Sequence, residues 1–205
     1  MSLVFYYAPM STAVTVSWAL EELGIPYEKV EIDLKARDQD KRGYRALNPN
    51  GKVPLLVHDG VPIFESAAIM MHLGETFGVE RDLFPPPGLE RAGAFKWLVW
   101  TNVSLGGAVA RFLHNTSAQV PEERRSAKEG EVARADVETH LGILEAELAD
   151  KRFLVGGTFS LADLHLASFV RFITIVGFAT ERWPNLHAWL ERCTSRPAHT
   201  RSRAA

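Results

Sequence analysis

"GKVPLLVHDGVPIFESAAI", residues 51–69, changes local character three times in one short run. A glycine and a proline lead into the apolar stretch from Val53 to His58, which reads as a strand starting beside a turn. Asp59-Gly60 is a hairpin signal, so Val61 to Phe64 returns as the second arm. At Glu65-Ser66 the period switches again, and "SAAIMMHLGETF" (66–77) has helical spacing. Ser66 reads as the N-cap of that helix.

Upstream, "NPNGKVP" is a turn-rich loop and residues 38–47 are polar and weakly helical. "IPYEKVEIDL" predicts a strand with Tyr27, Val30 and Ile32 as its apolar positions. Ala13, Val16, Leu20 and Leu23 recur on one helical face that Gly24 ends. Leu3 to Tyr7 is a first strand, stopped at Pro9. The order is β-α-β-α-β-β-α: a parallel βαβ unit followed by a hairpin and a helix, the layout of a thioredoxin-like α/β domain over residues 1–78.

Downstream, "GVERDLFPPPG" (78–88) has three consecutive prolines and no periodicity, so 79–88 is read as a linker. Residues 89–205 then read as an all-α helical bundle. Helices are expected over 89–114, with a break near Gly106-Gly107, and over 122–149, 160–176 and 184–196. "FSLADL" carries a capping box, Ser160 with Asp163, and the staple spacing of Phe159 with Leu164. Its structural reading, nucleation of a buried helix, outweighs a ligand role for the aspartate.

The 205 residues are 46% hydrophobic and carry a formal net charge of -2, which gives no electrostatic reason to expect nucleic acid or an anionic membrane. Arg192, Arg196, Arg201 and Arg203 make the C-terminus basic, and this end is read as a solvated tail. One cysteine, Cys193, excludes an intrachain disulfide and reads as a partly buried structural residue. The N-terminus lacks a signal-peptide pattern, and Asp163, His165 and Arg171 interrupt the apolar stretch 160–179, so a cytoplasmic protein without a membrane span is expected. The seven histidines show no paired metal spacing, and no metal is expected.

Candidate chemistry gathers at two helix starts and one loop. Ser11 and Thr12 open the first helix with no histidine or carboxylate nearby in sequence. They either cap it or face a ligand. Val53-Pro54, if cis, would turn the Val53 backbone outward to pair with an extended ligand, though the spacing alone leaves a trans bond the ordinary reading. Glu65 and Ser66 suit the α-amino and α-carboxylate ends of an amino acid, though from these residues alone simple capping is the stronger reading.

Taken in order, "YYAPMSTAVTVSWALEELGIPYE", "NPNGKVPLL", "FESAAIMMHL", "DLFP" and "FSLADLHLA" resemble the cytosolic glutathione S-transferase family in its bacterial branch. The resemblance implies an N-terminal domain that binds glutathione as co-substrate, an α-helical domain that completes a site for a small hydrophobic electrophile, and a homodimer active in detoxification. It makes Pro54 the cis-proline, Val53 a backbone partner of the cysteinyl unit, and Glu65 and Ser66 the holders of the γ-glutamyl group. Lys52 falls where the glycyl carboxylate or nearby backbone is contacted. Ser11 is the first choice for the hydroxyl that holds the sulfur as thiolate, with Thr12 and Tyr7 as alternatives. Met10, Asn102 and Leu105 are candidate lining of the second-substrate pocket. The same thiolate serves isomerisation, dehalogenation or peroxide reduction, and a non-enzymatic glutathione-fold binding protein is the rival of a different class.

Overall fold

The computed structural model describes residues 1–204. The N-terminal domain runs β1 (Leu3–Tyr7), α1 (Ala13–Leu23), β2 (Glu28–Glu31), α2 (Arg42–Leu47), β3 (Leu55–His58), β4 (Val61–Phe64) and α3 (Ser66–Leu73). The sheet order is β2-β1-β3-β4; β1 and β2 are parallel, and the β3 pairings are antiparallel. Strand alternation sorts side chains onto two faces. Leu3 and Phe5 of β1 and Leu56 of β3 join the apolar side chains of α1 and α3 in the main core. Tyr6 and Leu55 point the other way and pack with Ile32 and with Tyr44 of α2. The sheet is thus covered on both faces. Gly24 takes φ 60 and its N–H donates to the Leu20 carbonyl at 3.0 Å, which ends α1 as its position suggests.

The helical half comprises α4 (Leu89–Trp100), α5 (Gly106–Thr116), α6 (Ala127–Glu147), α7 (Leu161–Ile175), α8 (Pro184–Thr194) and α9 (Pro197–Ala204). The expected break near Gly106-Gly107 is instead a π-helical turn over Thr101–Leu105, which joins α4 to α5 without ending either. Gly106 is small for a reason: a Cβ there would lie 3.0 Å from the Thr101 carbonyl oxygen and 3.4 Å from the Phe169 ring.

The Ser160–Asp163 capping box forms as the sequence predicts. Asp163 also accepts hydrogen bonds from Leu154 N and Trp189 Nε1, both at 2.9 Å, so the box ties α7 to α8. Burial pushes the Asp163 carboxyl up, and the four donated hydrogen bonds oppose that push. Cys193 is fully buried, and burial raises its thiol pKa far above the ordinary value, so it is inert.

Two segments are packed more closely than their composition suggests. In residues 79–88, read as a linker, Leu83 and Phe84 are buried, and the Leu83 carbonyl accepts the Leu161 N–H at 2.8 Å. The Phe84 ring fills the space left by Gly74, where a Cβ would lie 2.5 Å from it. The basic C-terminus is not a solvated tail. It forms α9, and Arg196 and Arg201 pair with Glu22 and Glu21 of α1. Arg192 donates to the Arg152 carbonyl at 3.2 Å.

Candidate functional site

The turn from β1 into α1 carries the first group of candidates. Ser11 Oγ donates to the Ala8 carbonyl at 2.7 Å and accepts from Ala13 N at 3.2 Å. Both hydrogen bonds fasten the chain to the helix start, which is a capping role. Thr12 occupies the N-cap position without a side-chain cap bond. Its exposed Oγ1 lies instead 3.4 Å from the Val53 carbonyl oxygen, at the long limit of a hydrogen bond. Met10 has φ 54 and a wholly exposed side chain.

Tyr7 faces elsewhere. Its ring stacks on Phe5 at 5.8 Å, and its hydroxyl donates to Glu31 Oε2 at 3.4 Å. The Lys29 ammonium lies 5.6 Å from its ring centre. Partial burial, then the Glu31 charge, raise the phenol pKa. The hydroxyl is therefore engaged at the β2 edge.

The loop before β3 has an internal frame that sequence reasoning missed. The Lys52 carbonyl accepts Tyr44 Oη at 2.6 Å and Asn48 Nδ2 at 2.7 Å. Buried Asn48 also accepts the Asn50 N–H at 3.0 Å through Oδ1, a local turn that the "NPNG" composition could have signalled. Gly51 has φ 59, and a Cβ on it would meet Arg45 Cζ at 2.5 Å. Arg45 is held there by the Pro49 carbonyl at 2.7 Å and Asp40 at 2.6 Å. This frame delivers the chain to a cis Val53-Pro54 bond. The Lys52 side chain is exposed.

At the start of α3 the structure corrects one expectation. Glu65, with φ 70, holds the N-cap position, and Ser66 is the first helical residue. A non-glycine residue in the left-handed region is uncommon and concentrates at functional sites. This geometry leaves the Glu65 carboxylate exposed, with Asn50 Nδ2 at 3.4 Å, while Ser66 turns inward and is 7% exposed.

Ser66 Oγ accepts a hydrogen bond from Asn102 Nδ2 at 3.2 Å, across the boundary between the two halves. Asn102 Oδ1 in turn lies 2.8 Å from His165 Nε2. The π-helical turn supplies Asn102 and the centre of the bundle supplies His165, which lies within "FSLADLHLA" but to which the sequence reading assigns no site role. Fully buried, His165 has its pKa lowered to about 3 by desolvation, so its imidazole is neutral. The amide oxygen can only accept, so Nε2 carries the ring proton and Nδ1 keeps a bare lone pair, which has no partner. An amide flipped the other way would require an orphaned Nδ1–H, and buried orphan donors are rarer than buried orphan acceptors.

Of the expected second-pocket residues, Met10 is on the surface beside the α1 start and Asn102 is engaged with Ser66 and His165. Leu105 is 0% exposed within the core and presents no surface to a ligand. It sits at the end of the π turn, with its side chain in the core. Among the described residues no cluster of histidine, cysteine or carboxylate side chains could hold a metal ion. No described helix is long and apolar enough to cross a membrane.

Fold and site together define a thioredoxin-like domain, with polar side chains gathered at its helix starts, joined to a helical domain. Residues 1–75 match the glutathione S-transferase N-terminal domain, and residues 109–197 match the glutathione S-transferase C-terminal domain. The chain is 33% identical over 181 residues to glutathione S-transferase GstB of Escherichia coli strain K12, covering 87% of this chain and 86% of that protein. It is 28% identical over 205 residues to disulfide-bond oxidoreductase YfcG of the same strain, covering 94% and 90%. A glutathione transferase from Burkholderia graminis, solved with two glutathione molecules bound per subunit, superposes with a TM-score of 0.87 at 28% identity, covering 100% of this chain and 88% of that one. The chain belongs to the glutathione S-transferase family.

Proposed function

We propose that this protein binds glutathione at the α1 and α3 starts, ionises its thiol and directs the thiolate at a small hydrophobic electrophile. The observation that carries the proposal is the convergence of Thr12 Oγ1 on the Val53 carbonyl at 3.4 Å, beside the cis Val53-Pro54 bond. A cysteinyl unit paired with the Val53 backbone would bring its sulfur towards that hydroxyl.

The chemistry needs a donor and no base. A free thiol has pKa near about 8.5, so only a few per cent is thiolate at neutral pH. A hydroxyl hydrogen bond to sulfur, with the positive end of α1 behind it, favours the anion and lowers that pKa. Thr12 suits this role better than Ser11: Ser11 gives its proton to Ala8 O at 2.7 Å, whereas the Thr12 contact with Val53 O, at 3.4 Å, is weak enough for a thiolate to replace. Tyr7, turned towards Glu31, is the weakest of the three.

The γ-glutamyl group fits the other end of the site. The exposed Glu65 carboxylate suits its ammonium, and Ser66 with the unpaired amides of the first α3 turn suits its carboxylate. Lys52, exposed on the loop, suits the glycyl carboxylate. Exposed Val99 and Val103, one helical turn apart, suit burial against a second copy in the proposed homodimer, and a cytoplasmic location is part of the same reading.

Similarity to a protein named as a disulfide-bond oxidoreductase favours a second reading, in which the same thiolate attacks a disulfide. A test of both measures glutathione-dependent conjugation of an aromatic halide alongside reduction of a model disulfide. Conjugation is expected; disulfide reduction alone would favour the second reading, and neither activity with measurable glutathione binding would favour a binding module.

A further inference from the structure

Ser66 is a two-way hydroxyl, and the molecule contains a device that decides which way it works. A serine in reach of an amide can either donate to the amide oxygen or accept from the amide nitrogen. If it donates, its proton is consumed inside the protein. If it accepts, the proton is left for a ligand. Asn102 presents its Nδ2 to Ser66 at 3.2 Å, so Ser66 accepts. What keeps Asn102 in that orientation is His165, whose Nε2 lies 2.8 Å from Asn102 Oδ1.

We infer that His165 is a positioning residue for the ligand carboxylate: by donating to Asn102 Oδ1 it fixes the direction of the His165–Asn102–Ser66 chain and leaves the Ser66 proton for that carboxylate. This inference rests on the proposed binding of the γ-glutamyl group at the α3 start. The direction runs from α7, through the π-helical turn, into the N-terminal domain, so the helical half of the molecule sets the polarity of a group in the other half. Two features support the assignment apart from the distances. Both ends of the chain are more than nine-tenths buried, His165 at 0% and Ser66 at 7% exposure, while Asn102 between them is half-buried, so the two bonds are shielded from water at their His165 and Ser66 ends. His165 Nδ1 is buried without a hydrogen-bond partner, so the polar function of this imidazole rests on the bond its Nε2 makes to Asn102. Desolvation keeps the imidazole neutral across the ordinary pH range, so the direction does not reverse on mild acidification.

The test is calorimetric titration of the full-length protein with two ligands, glutathione and γ-aminobutyryl-cysteinylglycine, the latter lacking only the γ-glutamyl α-carboxylate. In His165→Leu the Asn102 amide loses its orienting donor, and glutathione affinity should fall about tenfold, the scale of one hydrogen bond to a charged group. The affinity for the decarboxylated ligand should not change. His165→Gln, which can still donate to Asn102 Oδ1, should restore glutathione binding. Should His165→Leu fail to fold, Asn102→Leu removes the same donor to Ser66 and should give the same ligand-selective loss. Equal losses for both ligands would overturn the inference in favour of a merely structural role, as would unchanged glutathione affinity. Wild-type protein that binds neither ligand would overturn the proposed function itself, whereas wild-type binding with unresponsive variants would overturn only this inference.

Discussion

Arg196 Nε and Nη2 donate to the two carboxylate oxygens of Glu22 at 2.7 and 2.8 Å, joining the end of the bundle to α1, the helix that follows Ser11 and Thr12. The Glu22 side chain is 6% exposed and also accepts Trp18 Nε1 at 3.1 Å. Arg196 further lies 4.0 Å over the Phe159 ring. The C-terminal segment therefore clamps α1 from behind.

Arg196→Ala should strip Glu22 of its counter-charge while leaving it buried. Breaking a fully buried pair costs about 3–5 kcal/mol, and partial exposure of Arg196 reduces this to an expected ~2 kcal/mol. Arg201→Ala, at an exposed pair with Glu21, should cost well under about 1 kcal/mol. Urea unfolding of the two variants checks the order; equal losses would mean that the clamp is distributed along α9.

Ser11→Ala removes a side chain that bridges Ala8 O and Ala13 N. The expected cost is about 1 kcal/mol of stability, the usual worth of a helix cap. Turnover with saturating glutathione should stay close to wild type. A large fall in turnover at unchanged stability would return the catalytic assignment to Ser11.

His165 makes stability pH-dependent in a definite sense. Its folded pKa of about 3 lies below the ordinary 6.5. Below pH 6.5 the unfolded chain takes up a proton that the folded chain refuses, so this contribution is full above that pH and is lost as pH falls towards 3. Between pH 7 and pH 5 the loss from this one group should be about 2 kcal/mol. His165→Gln carries no such proton, so its unfolding free energy should fall less over the same interval. Parallel curves for the two proteins would show that water or a partner charges the imidazole in the folded state.

Gly51 and Gly24 offer a paired test of the loop frame. Both have positive φ, but a Cβ at Gly24 meets open space, whereas one at Gly51 meets Arg45. Gly24→Ala should cost about 1 kcal/mol and leave glutathione binding alone. Gly51→Ala should cost more, on the order of 1–3 kcal/mol, and also raise the KM for glutathione, because Arg45 must leave Pro49 and Asp40. Identical KM values for the two variants would separate the Arg45 frame from the site.

Periodicity carried most of the fold. The alternation in Leu3 to Tyr7, the α1 stripe closed by Gly24, the Asp59-Gly60 hairpin and the Ser160–Asp163 box are each local, and each appears where the sequence predicts it. What escaped is what depends on distant partners. Arg196 and Arg201 look like tail charges until Glu22 and Glu21 are brought beside them. Ser66 reads as a cap because Ser is a good one, yet the positive φ of Glu65 moves the cap back by one residue. Asn102 and His165 lie 63 positions apart, on segments whose own patterns say only helix, and the π turn that rotates Asn102 towards Ser66 has no composition of its own.

The central claim is that the Thr12 hydroxyl holds glutathione as thiolate, and it is tested most directly by titrating the thiol of protein-bound glutathione, followed by thiolate ultraviolet absorbance. In the wild-type complex the thiol pKa should lie at least about one unit below the free value of about 8.5, which is ~1.4 kcal/mol in favour of the anion. Thr12→Val, which keeps the side-chain shape and removes the hydroxyl, should raise that pKa by about one unit, and Thr12→Ser should keep it low. A Thr12→Val complex that titrates with the wild-type pKa would contradict the account.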